Sequence, residues 1–281
     1  MSLSPLMIEK AVRAALEEDM GHGHDITTDS LIPSGATGRA VLRTREDGVL
    51  AGLPVGLSAF TLLNPACEIT SLKQDGNFLG AGENIAAIEG PARSILTAER
   101  VALNFISHLS GIATKTCRYV QAIEGTDAAI SCTRKTLPGL RAFQKYAVRC
   151  GGGVNHRFGL DDAILIKDNH IALAGGISAA LDRAFEHAGH TVKIEIEVDT
   201  LPQLEEVLAH GGADIVMLDN FTLEDMAEAV DIAEGALTLE ASGGVTLDTV
   251  RGMAETGVDL ISVGALTHSV KALDIGLDID L

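Results

Sequence analysis

The 281-residue sequence contains no tryptophan, and aromatic residues make up only 3% of it. A core without large rings must be filled by Ala, Val, Ile, Leu and Gly, the small and branched side chains that suit packed barrel strands. Hydrophobic residues are nonetheless 46% of the chain, enough for one large domain or two ordinary ones. Cysteine is scarce too: Cys67, Cys117, Cys132 and Cys150 include no Cys-x-x-Cys pair. A chain of this length needs no disulfide staples, so reduced thiols in a cytoplasmic protein are expected. No run of about 18 apolar residues occurs, so no membrane-spanning helix is expected. Met1 to Glu18 is amphipathic and has no apolar run of signal-peptide type.

Positive charge is the remaining scarcity. Lys and Arg number 21 against 39 Asp and Glu, a formal charge of −18. Such a surface repels phosphate backbones, so a nucleic-acid partner is not expected. Against this background the local concentration of Arg134, Lys135, Arg157 and Lys167 requires a reason.

The first third mixes its signals. Pro5 to Asp19 has helical spacing, with Ile8, Val12 and Leu16 on one face. Asp25 to Ser34 is loop-like, and alternating stretches follow near Ala40 to Arg45 and Asn84 to Ile88. Ser94 to Leu109 predicts a long amphipathic helix that closes this α+β region. From about Ala128 the pattern becomes regular. Strands are predicted at Ala128 to Thr133, Ala163 to Ile166, Lys193 to Val198, Asp214 to Leu218, Leu237 to Ala241 and Leu260 to Val263. Helices are predicted at Ile177 to Ala188, Leu201 to His210, Leu223 to Ala233 and Leu247 to Glu255, several opening at caps such as Thr200, Thr222 and Thr246. The later strands close at Glu197, Asp219, Ser242 and Gly264, spaced 22, 23 and 22 residues apart. That step is one strand, one helix and two short loops. It implies a parallel sheet, and its constancy favours closure into a barrel of about six strands over a doubly wound sheet.

Catalytic groups in such barrels occupy the C-terminal strand ends. Read in order, those ends give Thr133, Arg134 and Lys135; then a Gly151 to Gly153 loop leading to Asn155, His156 and Arg157; then Lys167, Asp168, Asn169 and His170; then Glu197, Asp219, the Ser242-Gly243-Gly244 turn, and Gly264-Ala265-Leu266. Arg binds carboxylate and phosphate bidentately and Lys acts as a point charge. The two late glycine turns, each expected to open a helix, offer backbone N–H groups to a phosphate. His268 lies just past the second turn and either meets the phosphate or caps. Glu197 and Asp219 either pair with Lys167 and Arg134, or hold Mg²⁺ for a pyrophosphate ligand, or do both. Glu195 points the same way as Glu197, so pattern alone does not choose between them.

These strings resemble the quinolinate phosphoribosyltransferases. The resemblance runs through Thr133-Arg134-Lys135-Thr136, Pro138-Gly139-Leu140-Arg141, Lys145-Tyr146-Ala147-Val148, Asn155-His156-Arg157, Leu165-Ile166-Lys167-Asp168-Asn169-His170, Glu195-Ile196-Glu197-Val198, Leu218-Asp219-Asn220, Glu240-Ala241-Ser242-Gly243-Gly244 and Val263-Gly264-Ala265-Leu266-Thr267-His268-Ser269. It reaches back to Glu99-Arg100 and Leu109-Ser110-Gly111. It implies an open parallel α/β barrel of type II phosphoribosyltransferase kind at 113–269, and an N-terminal α/β sandwich domain at 1–112 on which the tail 270–281 packs. It further implies transfer of phosphoribosyl from 5-phosphoribosyl 1-pyrophosphate to quinolinate with decarboxylation, with Mg²⁺ as cofactor, in NAD biosynthesis.

Carried over residue by residue, Arg134, His156, Arg157 and Lys167 surround the quinolinate carboxylates, and Arg100 joins them from the partner of a homodimer. Lys135 and Lys167 lie near both substrates, Glu197 and Asp219 meet the ribose hydroxyls and Mg²⁺, and Lys135, Lys167, Glu197 and Asp219 are the implied catalytic set. Thr133 joins the substrate contacts. Ser242, Gly243, Gly244, Gly264, Ala265, Leu266 and His268 hold the 5′-phosphate. Two departures stand in this sequence: Cys132 replaces the usual Asp before Thr133, and His24 is inserted between Gly23 and Asp25. The alternative reading is a protein of the same fold acting on another acid or base, as in molybdenum-transport operons. The Arg-rich mouth favours a dicarboxylate over a monoacid. A non-catalytic phosphoribosyl sensor would not require Lys167, Glu197 and Asp219 together.

Overall fold

The computed structural model describes residues 3–280. In chain order its first elements are α1 (Pro5–Met20), α2 (Ile26–Leu31), β1 (Thr37–Thr44), β2 (Gly48–Val49), α3 (Leu53–Leu63), β3 (Glu68–Ser71), β4 (Phe78–Leu79), β5 (Asn84–Pro91) and α4 (Ala92–Ala122). There follow β6 (Ala129–Ser131), α5 (Arg141–Cys150), β7 (Ile164–Ile166), α6 (Asp168–Ala174), α7 (Ile177–His187), β8 (Ile194–Val198), α8 (Leu201–His210) and β9 (Ile215–Asp219). The last are α9 (Leu223–Ala233), β10 (Thr238–Ser242), α10 (Val250–Glu255), β11 (Leu260–Ser262), α11 (Ala265–His268) and β12 (Ile275–Asp280). Two compact units emerge, one from residues up to 117, 142–152 and 269 onward, the other from 118–141 and 153–268.

The first unit is built on an antiparallel sheet in the order β12-β1-β5-β3. The tail strand β12 pairs with β1 from Thr44↔Ile275 to Arg39↔Asp280. Helix α4 runs thirteen residues past the predicted Leu109 end, and the division between units falls inside it. The sequence hides this continuation because Gly111 reads as a helix stop. Its glycine has another reason: a Cβ there would lie 2.3 Å from the carbonyl oxygen of Lys271. The predicted loop at Asp25 to Ser34 is instead the short helix α2. Asp25 caps it, accepting the N–H of Thr28 at 2.9 Å, and six residues are too few to show a period. Helices α3 and α5 and the short strand β3 were not legible as elements.

The second unit carries a six-stranded parallel sheet in the order β6-β11-β10-β9-β8-β7, the strand set the sequence predicts. On β8, Ile194, Ile196 and Val198 alternate with Glu195 and Glu197, so one face takes the aliphatic residues and the other the acids. A flat six-stranded sheet would hold its edge strands about 24 Å apart, five spacings of ~4.8 Å. Here Thr133 beyond edge strand β6 and Leu165 on edge strand β7 line one cavity. The sheet is therefore curled, and β6 and β7 are not hydrogen-bonded to each other: it is an open α/β barrel. No helix among the described residues is long and apolar enough to cross a membrane.

Candidate active site

Five strands of the parallel sheet, β7 to β11, and the segment that follows β6 send residues into one cavity of about 400 Å³. Its lining brings together Thr133, Arg134, Lys135, His156, Arg157, Lys167, Glu197, Asp219 and Ser242, with Leu165, Met217 and Ser262. A second cavity of about 270 Å³ is lined by Ser242, Gly243, Gly244, Gly264, Ala265 and His268, and shares Thr133, Lys135 and Ser262 with the first. Leu266 has its side chain in the core, so only its backbone is available to a ligand.

The cations are held by the main chain around them. The Lys135 N–H donates to Thr133 Oγ1 at 3.0 Å, and its carbonyl accepts from Thr267 Oγ1 at 2.7 Å. Arg157 Nη1 donates to the carbonyl of Ala163 at 3.1 Å. The Nε atoms of Arg134 and Arg157 are buried and meet no protein acceptor, an arrangement a folded protein avoids unless a ligand satisfies it. Burial and then the Arg134 guanidinium press the Arg157 pKa below its ordinary value, while Glu195 and Asp162 oppose the shift. Two half-buried guanidiniums with unsatisfied Nε donors form a site for an anion.

Lys167, at the end of β7, is ion-paired with Glu197 at the end of β8. Asp219, on the neighbouring β9, accepts Asn220 Nδ2 at 2.8 Å. Beneath them lies the group of metal-ligand type found among the described residues, His156, Glu195 and Glu240, whose donor atoms all lie within 4.8 Å of one another. Glu195 and Glu240 are buried in mid-strand. Glu240 was missed as a site residue. The available signal was an acid flanked by Leu239 and Ala241 in a strand whose two faces are both covered.

Several expected placements differ. His170 does not line the cavity; its Nδ1 accepts the N–H of Lys167 at 2.9 Å and caps α6. The Gly244 turn does not open a helix at Leu247. Reciprocal bonds between Thr246 and Thr249, at 3.0 and 3.3 Å, form a capping turn first, and α10 begins at Val250. Gly243 has φ +93°, and a Cβ on it would stand 2.1 Å from Asn220 Oδ1, so the turn demands glycine. Cys132 is buried and its Sγ donates to Asn155 Oδ1 at 3.3 Å. Arg100 lies on α4 in the first unit, where it lines a separate cavity with Arg45 and Lys271.

The quinolinate phosphoribosyl transferase N-terminal domain matches residues 25–110 and the C-terminal domain of the same family matches 112–278. Nicotinate-nucleotide pyrophosphorylase [carboxylating] of Mycobacterium leprae is 46% identical over 276 residues, 95% of each chain. The probable enzyme of that name from Bacillus subtilis is 43% identical, over 99% of this chain and 96% of its own. The solved nicotinate-nucleotide pyrophosphorylase of Francisella tularensis superposes with a TM-score of 0.93 at 42% identity, covering 99% of this chain and 98% of that one. Matched through both domains and almost end to end, this chain belongs to the quinolinate phosphoribosyl transferase family.

Proposed function

We infer that the chain transfers a phosphoribosyl group from 5-phosphoribosyl 1-pyrophosphate to quinolinate with loss of CO₂, yielding nicotinate mononucleotide and pyrophosphate. The observation that carries this reading is the pair of guanidiniums of Arg134 and Arg157, whose buried Nε donors have no protein acceptor, facing a cavity that Lys167 also lines. A planar dicarboxylate satisfies such donors. The glycine turns at Gly243 and Gly264 line the adjoining cavity, suited to the 5′-phosphate.

Glu197 and Asp219 come from adjacent strands and face the same cavity. Two carboxylates, with substrate phosphates completing the shell, are a donor set Mg²⁺ uses, so these residues fit the ion. Bound there, Mg²⁺ would neutralise charge on the departing pyrophosphate. The chain's own residues position two anions that otherwise repel each other. Arg134, Arg157 and Lys167 hold the acid so that its ring nitrogen faces the anomeric carbon. Lys135, shared by both cavities, serves both substrates. After transfer the cationic ring accepts the electron pair left at C2 as CO₂ departs, and a proton then completes C2. In this reading the enzyme is a homodimer, and Arg100 enters the neighbouring subunit's site.

The test supplies quinolinate or nicotinate with the phosphoribosyl donor and Mg²⁺ and measures CO₂ and mononucleotide. Product and CO₂ from quinolinate are expected. Product from nicotinate with none from quinolinate would overturn the assignment.

A further inference from the structure

Lys135 lines both cavities at the barrel mouth, yet it stands in the irregular segment after β6, where no helix or strand fixes it. A lysine stem is long and flexible, so its ammonium is placed only as well as its main chain and the packing of its stem are. Both main-chain polar groups of Lys135 are held by hydroxyls. Its N–H donates to Thr133 Oγ1 at 3.0 Å, a bond within the same segment. Its carbonyl accepts from Thr267 Oγ1 at 2.7 Å, a bond to a residue 132 positions further along the chain.

Thr267 is buried and belongs to α11, the helical turn that follows Gly264. A hydroxyl has a single proton to give. The Gly264 carbonyl lies 3.3 Å from the same Oγ1, but it already accepts the N–H groups of Thr267 and His268 at 3.2 and 3.3 Å. The shorter contact, to Lys135, therefore takes the proton. The same turn also shapes the lysine stem. A Cβ on Gly264 would lie 3.0 Å from Lys135 Cδ, so the stem runs along bare glycine backbone. The lysine is thus gripped twice from one turn, by its carbonyl through Thr267 and by its stem at Gly264. Gly264 and Ala265 line the second cavity, so the wall of that cavity and the lysine shared with the first are joined.

We propose that Thr267 is a positioning residue for the transfer step: its buried hydroxyl ties Lys135 to the Gly264 turn and so sets the ammonium between the two substrates. Thr267 is not among the residues lining either cavity, and it acts through Lys135. An anion seated on the turn steadies the lysine by the same link.

The proposal rests on the two-substrate reading of the cavities, and its test separates the two. Thr267→Val keeps the branched shape without the hydroxyl, Thr267→Ala removes both, and Thr267→Ser keeps the hydroxyl without the methyl group. With quinolinate and the phosphoribosyl donor, the valine and alanine variants should each lower kcat about tenfold, with either KM changed less than about threefold, because a misplaced group costs rate. Thr267→Ser should stay within about twofold of the unaltered enzyme. Added to Lys135→Ala, Thr267→Val should lower the residual kcat no further, since both act through one ammonium. Three outcomes overturn the proposal: an unchanged kcat in Thr267→Val, a serine variant as slow as the valine one, or an additive loss in the double variant. The bond itself is read by NMR on enzyme carrying ¹³C-carbonyl lysine and ¹⁵N threonine, which marks the peptide links Lys115-Thr116 and Lys135-Thr136 alone, told apart with Lys115→Arg. The Lys135 carbonyl signal should move in Thr267→Val and hold in Thr267→Ser; an unmoved signal in Thr267→Val also overturns the proposal. If the unaltered enzyme neither binds nor consumes quinolinate, the functional reading fails instead, and the carbonyl signal still decides whether Thr267 holds Lys135.

Discussion

Lys167 and Glu197 form an ion pair across neighbouring strand ends, with the lysine side chain 46% exposed and the glutamate 10%. The ammonium is thus already partnered before any substrate arrives, and an incoming carboxylate must compete for it. A half-exposed pair of this kind contributes about 0–1 kcal/mol to folding. Lys167→Ala should therefore raise the KM for quinolinate at least about tenfold while moving the thermal midpoint little. Glu197→Gln, which releases Lys167, should act mainly on the phosphoribosyl donor. Kinetics for both substrates with a melting curve for each variant check this division; a large fall in Tm with unchanged KM values would make the pair structural.

Arg134 and Arg157 present unsatisfied Nε donors, so each should make a charge-assisted bond to the acid, worth about 1.5–3 kcal/mol. Arg134→Ala and Arg157→Ala should weaken quinolinate roughly 10- to 150-fold and the phosphoribosyl donor far less. Equal losses for both substrates would sink the division of labour.

Gly243 and Gly125 both have positive φ, +93° and +86°, but only Gly243 has a neighbour in the way, Asn220 Oδ1 at 2.1 Å. Alanine at either position incurs the backbone cost, about 1–2 kcal/mol. Gly243→Ala must in addition displace Asn220, which also binds Asp219. Urea midpoints should show a greater loss for Gly243→Ala than for Gly125→Ala, and only the former should raise the donor KM. Matching losses in both measurements would mean that the turn relaxes freely.

The barrel was legible because its signal repeats. Each strand is a short apolar run, each helix is amphipathic, and the polar residue after each strand falls at a steady step. The cations at the mouth were legible because an acidic chain makes them conspicuous. What escaped shows no period: it depends on single contacts, some local and some between distant segments. Gly111 reads as a stop until the carbonyl of Lys271 is seen beside it. Asp25 reads as loop until its bonds to Thr28 define a cap. Glu240 looks like one more acid among 39 Asp and Glu until β10 carries it beneath His156. Alternation did place Glu195 and Glu197 on one face. Their separate duties, under the floor and at the rim, follow only from the curl of the sheet.

Arg100 and Lys167 test the shared site without any structure of an assembly. Arg100→Ala and Lys167→Ala are each expected to be nearly inactive. In the proposed homodimer, mixing them and letting subunits exchange should give hybrids in which one site has both residues intact. Activity should return toward about one quarter of the unaltered level, from half of the dimers being hybrid and half of their sites intact. Exchange is verified with two differently tagged chains; verified exchange without recovery would put Arg100 outside the site.

The Asp25 carboxylate supplies a pH-dependent share of stability. Its pKa is held below the ordinary 3.8 first by the Thr28 hydroxyl, then by the Thr28 N–H, with Thr97 adding a further bond. A carboxylate whose folded pKa is depressed stabilises the fold above its unfolded pKa of about 3.9, and that contribution fades as pH falls through the folded value. Asp25→Asn keeps a capping oxygen but removes the charge. Its stability deficit against the unaltered protein should be full at pH 7 and shrink below about pH 4, where the native carboxylate is itself becoming protonated. Urea midpoints of the two proteins at pH 7 and at pH 3 decide it. A deficit that stays constant or grows in acid would mean that the lost interaction is geometric and owes nothing to charge.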